Sequence, residues 1–249
     1  MKMADDIRGK VALVTGSAQG LGRGIARALA KAGAHVLINC FHSPQKAEEV
    51  CAGIVAAGGS AEVLICSVSD EAELRDKVAS RRIDILVNNA RRDPYSRPEG
   101  VGDGEWFNTL LDTNLTGAYL CARAVAPGMK ERRWGRILNV SSVQAYLGMK
   151  GDLIPYAVSK AGMLALTRCL ATELGDWNIT VNTLAPGMVV TENIMQRLSQ
   201  AEIDSRLARY PIHRAATSEE IAEAAVNTIC CGAMTGEVVN INSGVYFPA

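Results

Sequence analysis

The chemistry open to this sequence is indicated first by a tyrosine and a lysine four residues apart, Tyr156 and Lys160. Residues at this spacing share one face of a helix, so the phenol and the ammonium would point into the same space. A free tyrosine has a pKa near ~10, and a cation beside it favours the phenolate and lowers that pKa. The pair could therefore donate or accept a proton near neutral pH. Because Tyr-x-x-x-Lys is common by chance, further features must support this interpretation.

A second pair, Tyr146 and Lys150, has the same spacing. It contains Gly148 and is followed by no long helical pattern, which favours a loop. Tyr156 instead opens an apolar-periodic run over 155–174 that predicts a buried helix. We therefore assign the chemistry to Tyr156.

A glycine-rich turn follows the first predicted strand and precedes the first predicted helix. Glycines in such a turn allow a pyrophosphate to approach the backbone, and the N–H groups and dipole of the helix start bind its charge. An ordinary strand-to-helix turn is the alternative, but this position favours dinucleotide binding. The candidate residues are Thr15, Gly16, Ser17, Gln19, Gly20, Leu21 and Gly22.

The end of the second predicted strand bears on the choice of cofactor. An acidic residue there would bind the ribose 2′-OH of NAD, whereas a basic or small polar residue tolerates the 2′-phosphate of NADP. The chain reads Asn39-Cys40-Phe41-His42-Ser43, without an acid, which favours NADP(H) over NAD(H). No arginine or lysine stands there either, although His42 could face the phosphate.

Apolar runs that are typical of strands buried on both faces alternate with amphipathic runs typical of helices. Predicted strands span 11–15, 35–40, 62–67, 83–88, 136–141, 180–185 and 238–241. Predicted helices span 22–32, 45–57, 71–79, 104–132, 155–174 and 218–230, the last with an N-cap at Ser218. This alternation predicts an α/β fold, a single doubly wound Rossmann-type domain over 1–249 with a parallel seven-stranded sheet and helices on both faces. The polar stretch at about 188–214 is predicted to be a lid over a cleft.

Composition excludes several functional classes. Lys+Arg and Asp+Glu both number 26, so no basic surface suggests nucleic acid or anionic lipid as a partner. No uncharged apolar run approaches the ~18 residues of a membrane span. The seven cysteines lack a Cys-x-x-Cys spacing, and no cluster has metal-ligand spacing, which favours reduced thiols and no metal. Without an apolar signal segment, we expect a cytoplasmic protein.

Taken in order, the motifs resemble those of the short-chain dehydrogenase/reductase family over nearly the whole chain, and most resemble 3-oxoacyl-(acyl-carrier-protein) reductases. They are the turn at 15–22, Asn88-Asn89-Ala90, Asn114, Ser142, Tyr156-x-x-x-Lys160, Pro186-Gly187 and Thr191. Ser141 and Ser142 would point in opposite directions at a strand end. The 13 residues between Ser142 and Tyr156 match the family's usual gap, so Ser142 is preferred.

The resemblance implies a role for each catalytic residue. Tyr156 would exchange a proton with the substrate oxygen, and Lys160 would lower the Tyr156 pKa and bind the nicotinamide ribose. Ser142 would orient the substrate oxygen, and Asn114 would hold a water that links Lys160 to solvent. The further cofactor contacts implied are Ser67, Val68, Asn89, Ala90, Pro186, Gly187, Val189 and Thr191.

Three positions depart from the family pattern. Arg91 replaces the glycine that usually follows Asn-Asn-Ala, and it would reshape the loop, place charge near the cofactor or cleft mouth, or simply extend into solvent. Ser67 replaces the acid that usually contacts adenine. The stretch 67–84 is short, which predicts a truncated helix.

The sequence thus predicts an NADP(H)-dependent oxidoreductase that interconverts a ketone and a secondary alcohol, with a small-molecule substrate that is best taken as a carrier-bound 3-oxoacyl thioester. Another alcohol, sugar or secondary-metabolite ketone is the alternative. A non-catalytic dinucleotide-binding scaffold is a third possibility, which retained Tyr156 and Lys160 disfavour. Relatives pair the helices predicted at 104–132 and 155–174, so we expect a homotetramer.

Overall fold

The computed structural model of the protein describes residues 5–247 and, within that range, leaves out the side chain of Asn193. A parallel sheet of seven strands forms its centre, in the order β3-β2-β1-β4-β5-β6-β7. The strands are β1 Val11–Val14, β2 His35–Cys40, β3 Ser60–Ile65, β4 Ile85–Asn88, β5 Gly135–Val140, β6 Ile179–Pro186 and β7 Val238–Ile241. Every residue of β4, β5 and β6 is buried, because helices cover both faces of the sheet.

Nine α-helices connect or flank the described strands. They are α1 Gly20–Lys31, α2 Pro44–Ala56, α3 Glu71–Leu74, α4 Asp103–Leu111, α5 Gly117–Arg132, α6 Ile154–Leu174, α7 Glu192–Met195, α8 Gln200–Leu207 and α9 Ser218–Cys230. The apolar sides of α1, α2 and α9 pack on one face of the sheet. Those of α3, α5 and α6 pack on the other. The predicted doubly wound Rossmann-type fold is confirmed.

Several predicted boundaries differ from the structure. The predicted helix 104–132 is divided into α4 and α5 by a π-helical turn at Asp112–Thr116. The predicted helix 71–79 is one α-helical turn, α3, followed by a π-helical turn at Arg75–Ala79. Strand β3 lies two residues earlier in the chain than predicted.

The predicted N-cap of α9 at Ser218 is wrong, and the cap is Thr217. The Thr217 hydroxyl accepts a hydrogen bond from the Glu220 N–H at 3.1 Å, and the Glu220 carboxylate accepts one from the Thr217 N–H at 2.9 Å. This reciprocal capping box requires the acid three residues after the cap, which selects Thr217.

Strand order reverses between β1 and β4, which places a crevice at the carboxyl ends of these two strands. The segment predicted as a lid contains α7 and α8 and lies at this end of the sheet. Arg23 of α1 forms an ion pair with Glu192, and Arg197 forms one with Asp93 at 3.0 Å. The segment is therefore tied to both sides of the crevice. No helix within residues 5–247 is long and apolar enough to cross a membrane.

Candidate active site

A cavity of about 1120 Å³ runs along the crevice from the glycine-rich turn to the start of α6. Most of the predicted cofactor residues line it: Gly16, Gln19, Gly20, Leu21, Gly22, His42, Ser67, Val68, Asn89, Ala90, Pro186, Gly187, Val189 and Thr191. Ser142, Tyr156 and Lys160 line the same cavity. One continuous space therefore joins the predicted dinucleotide site to the predicted proton-transfer site.

The glycine-rich turn is shaped by close backbone contacts. Gly16 has φ of +62°, and a Cβ there would lie 2.9 Å from the Cα of Ala90. A Cβ on Gly22 would lie 2.4 Å from Asn89 Nδ2 and 2.8 Å from the Gly16 carbonyl. Larger residues would push the turn outward, away from the first N–H groups of α1. The turn therefore fits a pyrophosphate bound at a helix N-terminus.

Two polar side chains of the turn face the protein interior. The Thr15 hydroxyl donates to the Val87 carbonyl at 3.2 Å and accepts from the Ala90 N–H at 3.0 Å. The Ser17 hydroxyl donates to the Val14 carbonyl at 2.7 Å. Neither residue is among those that line the cavity. Thr15 and Ser17 were predicted to belong to the cofactor site. In the structure, their side chains support the turn from the protein interior.

Asn39 also has a structural role that was not predicted from the sequence. Its Oδ1 accepts from the Gly16 N–H at 3.1 Å, and its Nδ2 donates to the carbonyls of Leu64 and Cys66 at 3.1 and 3.0 Å. The side chain links β3 to the turn and is nearly fully buried. It therefore has no polar atom directed at a ribose.

The predicted catalytic residues meet where β5 ends and α6 begins. Tyr156 is 8% exposed and lies in the first turns of α6, where Pro155 and Tyr156 are buried. The Ser142 side chain lies close enough to the Tyr156 phenol to act to lower its pKa. The Lys160 ammonium, 1% exposed, donates to the Val140 carbonyl at 2.7 Å and lies 5.7 Å from the Tyr156 ring centroid. This grouping can hold a carbonyl oxygen between a hydroxyl and a phenol.

The direction of the Tyr156 pKa differs from the prediction. Burial raises the pKa of Tyr156, while the Arg91 charge and the Ser142 hydrogen bond act to lower it. Burial lowers the pKa of Lys160 to about 7, and Arg91 adds to this effect. Lys160 was predicted to depress the phenol pKa, but a buried ammonium is itself disfavoured and here points at a backbone carbonyl. The main charge that favours the phenolate is Arg91.

Asn114 lies in the π-helical turn between α4 and α5 and is completely buried. Its Oδ1 accepts from the Arg92 N–H at 2.8 Å, and its Nδ2 donates to the Ser159 hydroxyl at 3.1 Å. Ser159 in turn donates to the Tyr156 carbonyl at 2.7 Å. The Asn114 amide thus holds the start of α6. Its expected role, to hold a water that links Lys160 to solvent, stays a prediction.

The structure separates both ambiguous pairs. The Ser141 hydroxyl donates to the Lys160 carbonyl at 2.7 Å, whereas the Ser142 side chain acts on the Tyr156 phenol. Tyr146 follows a short 3₁₀ turn at Val143–Ala145 and stacks on Tyr246, with ring centroids 4.3 Å apart. The geometry therefore agrees with the choice of Ser142 and Tyr156.

Several cationic residues of the cavity were missed in the sequence. Lys46, in the first turn of α2, donates to Gln19 Oε1 at 3.2 Å at the glycine-rich end. Arg23 and Arg27 of α1 line the same end. The sequence does show basic residues near the starts of the two helices that flank this end. They were not predicted, because only the end of the second strand was considered for the cofactor phosphate. At the other end, Arg91 lines the cavity.

Comparison with known proteins agrees with this geometry. The family model described as short chain dehydrogenase matches residues 10–202. A 3-oxoacyl-[acyl-carrier-protein] reductase from Pseudomonas aeruginosa is 36% identical over 247 residues, covering 96% of this chain and 98% of its own.

Two solved structures share the fold closely. A gluconate 5-dehydrogenase from Burkholderia cenocepacia, in complex with NADP and tartrate, has a TM-score of 0.84 at 31% identity, covering 97% of each chain. A 7α-hydroxysteroid dehydrogenase complexed with NADH and 7-oxo glycochenodeoxycholic acid has a TM-score of 0.86 at 30% identity, covering 96% of this chain and 94% of its own. The chain belongs to the short-chain dehydrogenase family and is an oxidoreductase that acts on a ketone or alcohol.

Proposed function

We propose that this protein is an NADP(H)-dependent reductase of ketones, with a 3-oxoacyl thioester as the leading substrate. The observation that carries the proposal is the continuous cavity from Gly16 and Gly22 to Ser142, Tyr156 and Lys160. It has room for an extended dinucleotide and a substrate, and it brings a phenol to the place where a carbonyl would sit.

The residues of the chain divide the work. The backbone N–H groups at the start of α1 would bind the pyrophosphate. When bound, the nicotinamide supplies or accepts the hydride, and the protein supplies position and polarity. Ser142 would hydrogen-bond the substrate oxygen, and Tyr156 would deliver the proton to that oxygen during reduction. Lys160, buried beneath them, would bind the nicotinamide ribose.

Three features favour NADP(H). No acid stands at the end of β2 to bind a ribose 2′-OH, and the Asn39 side chain is turned inward. The Lys46 ammonium and His42 line the cavity at this end of β2. The Lys46 ammonium donates to the Gln19 amide, and its charge also acts on Glu192. A 2′-phosphate would give it a directly bonded partner of opposite charge.

The thioester is favoured by the 36% identity to the reductase from Pseudomonas aeruginosa. A small hydroxy acid is the second candidate, because the cavity contains Arg91 near Tyr156 and the similar Burkholderia protein is a gluconate 5-dehydrogenase. A homotetramer in the cytoplasm, with a lid over residues 188–214, completes the proposal.

The test is oxidation of NADPH and of NADH, side by side, with acetoacetyl thioester as substrate. We expect turnover with NADPH well above that with NADH, and its loss in Tyr156→Phe with cofactor affinity kept within a few-fold. Absence of turnover with either cofactor, in a protein that still binds NADPH, would reject the thioester. Loss of cofactor binding in Tyr156→Phe would reject the assigned part of Tyr156.

Lys46→Ala tests the cofactor preference separately. We expect the KM for NADPH to rise about tenfold or more and that for NADH to change little, since one charge-assisted contact to a phosphate is lost. Lys31→Ala, at the exposed end of α1, is the matched control. An equal rise for both cofactors would contradict a phosphate contact by Lys46.

A further inference from the structure

The two ends of the cavity both carry excess positive charge, although the whole chain has a formal net charge of zero. At the glycine-rich end the cations are Arg23, Arg27 and Lys46, against the acids Glu49 and Glu192, of which Glu192 pairs with Arg23. The phosphates of a bound dinucleotide would neutralise the positive charge at this end. At the Tyr156 end the lining cations are Arg91, Arg92, Lys160 and Arg197, and the acid beside them is Asp93. A cleft with one excess sign of charge attracts ligands of the other sign, so the second end calls for an anion of its own.

Arg91 is held in place by the hydrogen bonds of its two neighbours. The Ala90 N–H donates to the Thr15 hydroxyl at 3.0 Å, which ties the loop to the glycine-rich turn. The Arg92 N–H donates to Asn114 Oδ1 at 2.8 Å, which ties it to the buried amide behind Tyr156. The Arg91 backbone is therefore fixed from both sides, and its side chain lies in the cavity wall.

The guanidinium of Arg91 has capacity for a ligand. Its ion pair with Asp93 is loose, at 3.7 Å, and the Asp93 carboxylate is held more closely by Arg197 at 3.0 Å. Arg197 also stacks on the Tyr95 ring, 4.4 Å from its centroid. A guanidinium presents a planar fork of N–H donors that matches the two oxygens of a carboxylate or phosphate. Among the arginines that line the cavity, Arg91 is the one whose charge acts on the pKa of both Tyr156 and Lys160.

We propose that Arg91 is a specificity-determining residue that binds an oxyanion group, a carboxylate or a phosphate, carried by the substrate. This inference rests on the proposed function in taking Tyr156 as the group that meets the carbonyl. It gives a function to the one position where an arginine replaces the glycine usual in the family. The oxyanion has two possible sources: the carboxylate of a small keto or hydroxy acid, or a phosphate on the carrier arm of a thioester.

Direct binding tests Arg91 without any turnover. With NADP⁺ saturating, so that the cofactor phosphate sites are filled, the dissociation constants of malonate and of inorganic phosphate are measured by calorimetry. We expect saturable binding of at least one anion to the wild-type protein, weakened about tenfold in Arg91→Gln and partly restored in Arg91→Lys. Arg75→Gln makes the same chemical change on the exposed π-helical turn and should bind as wild type does. No binding by the wild type, or equal binding by wild type and Arg91→Gln, would overturn the proposal.

Matched substrates then identify the source of the oxyanion. Acetoacetate is compared with its methyl ester, and acetoacetyl-coenzyme A with the uncharged acetoacetyl N-acetylcysteamine thioester. We expect Arg91→Gln to raise KM about tenfold for the anionic member of one pair relative to its neutral partner, whereas an effect of the lost charge on Tyr156 would change kcat for both members alike. The affected pair shows whether the anion is a carboxylate or a phosphate. An equal rise in KM for both members of both pairs would overturn the role of Arg91 in selecting an anionic substrate.

The two proposals fail in different ways. A wild-type protein that reduces none of these ketones but binds malonate through Arg91 would contradict thioester reduction and support the anion site. A protein that reduces the neutral thioester equally well with and without Arg91, and binds neither anion, would support ketone reduction and overturn the anion site.

Discussion

Lys160→Met is expected to stabilise the folded protein at acid and neutral pH while it abolishes turnover. The Lys160 ammonium is 1% exposed, and its one hydrogen bond among the described residues is to the Val140 carbonyl at 2.7 Å. Methionine has a similar length and flexibility but carries no charge. The substitution therefore removes a buried cation with little change in packing.

The size of the effect follows from the Lys160 pKa, which burial lowers from 10.5 to about 7. A shift of roughly 3.5 units at about 1.4 kcal/mol per unit gives a cost of about 5 kcal/mol as an upper limit. Below pH 7 both the folded and unfolded states carry the proton, so the whole cost is present. Between pH 7 and 10.5 the folded state releases the proton first, so wild-type stability rises with pH.

The lost hydrogen bond leaves the buried Val140 carbonyl unpaired, which costs about 1–3 kcal/mol. The expected net gain of Lys160→Met in the free energy of unfolding is therefore about 2–4 kcal/mol at pH 6. The wild-type protein recovers about 3 kcal/mol between pH 7 and 9, so the gain should shrink to near zero at pH 9.

Urea unfolding of both proteins at pH 6 and pH 9, at equal protein concentration and without added dinucleotide, measures this difference. Lys150→Met, at an exposed position, is the control and should show no gain that depends on pH. A variant less stable than wild type at pH 6, or a gain that is the same at both pH values, would refute the electrostatic reasoning.

Three further predictions concern the site and the assembly. Ser142→Ala should lower kcat about 100-fold or more with little effect on stability, since it removes the donor proposed for the substrate oxygen. Ser141→Ala should mainly lower the Tm, because the Ser141 hydroxyl donates to the Lys160 carbonyl. Steady-state kinetics and melting curves of both variants distinguish the two serines, and the reverse pattern would exchange their assignments. Gly22→Ala should weaken NADPH binding more than tenfold, because its Cβ would lie 2.4 Å from Asn89 Nδ2, and fluorescence titration that shows unchanged affinity would contradict the close approach at this turn. Light scattering after gel filtration should give a homotetramer, and a monomer would contradict the expected pairing of α5 and α6.

The sheet could be predicted from the sequence because burial on both faces leaves an unmistakable apolar pattern. Strands β2 and β7 match their predicted bounds, and β5 and β6 differ by one residue at each end. The π-helical turn at Asp112–Thr116 could not be predicted, because the apolar period of 104–132 is compatible with one straight helix. A π-turn is set by what the extra residue contacts in three dimensions, which here is the surroundings of Asn114.

The candidate site was predicted in its residue types but not in all of its contacts. No role was predicted for Asn39, yet in the structure its side chain turns inward and accepts from the Gly16 N–H. Lys46 was overlooked because it is separated from the end of β2 by a turn, although helix α2 brings it back to the cavity. For Arg91 the sequence left three interpretations open, a reshaped loop, charge near the cofactor or cleft, or a side chain in solvent, and the structure places it in the cavity wall.

One amide connects the two parts of this site that we propose to be functional. Asn114 receives the Arg92 N–H on its oxygen, and its nitrogen donates to Ser159, which holds the Tyr156 carbonyl. The loop that carries Arg91 and the helical turn that carries Tyr156 are thus fixed by opposite ends of the same buried side chain. Because both contacts share one planar group, a shift of the loop moves the start of α6 with it. The substrate selection that we propose for Arg91 and the proton transfer that we propose for Tyr156 would therefore both depend on the position of this one buried side chain.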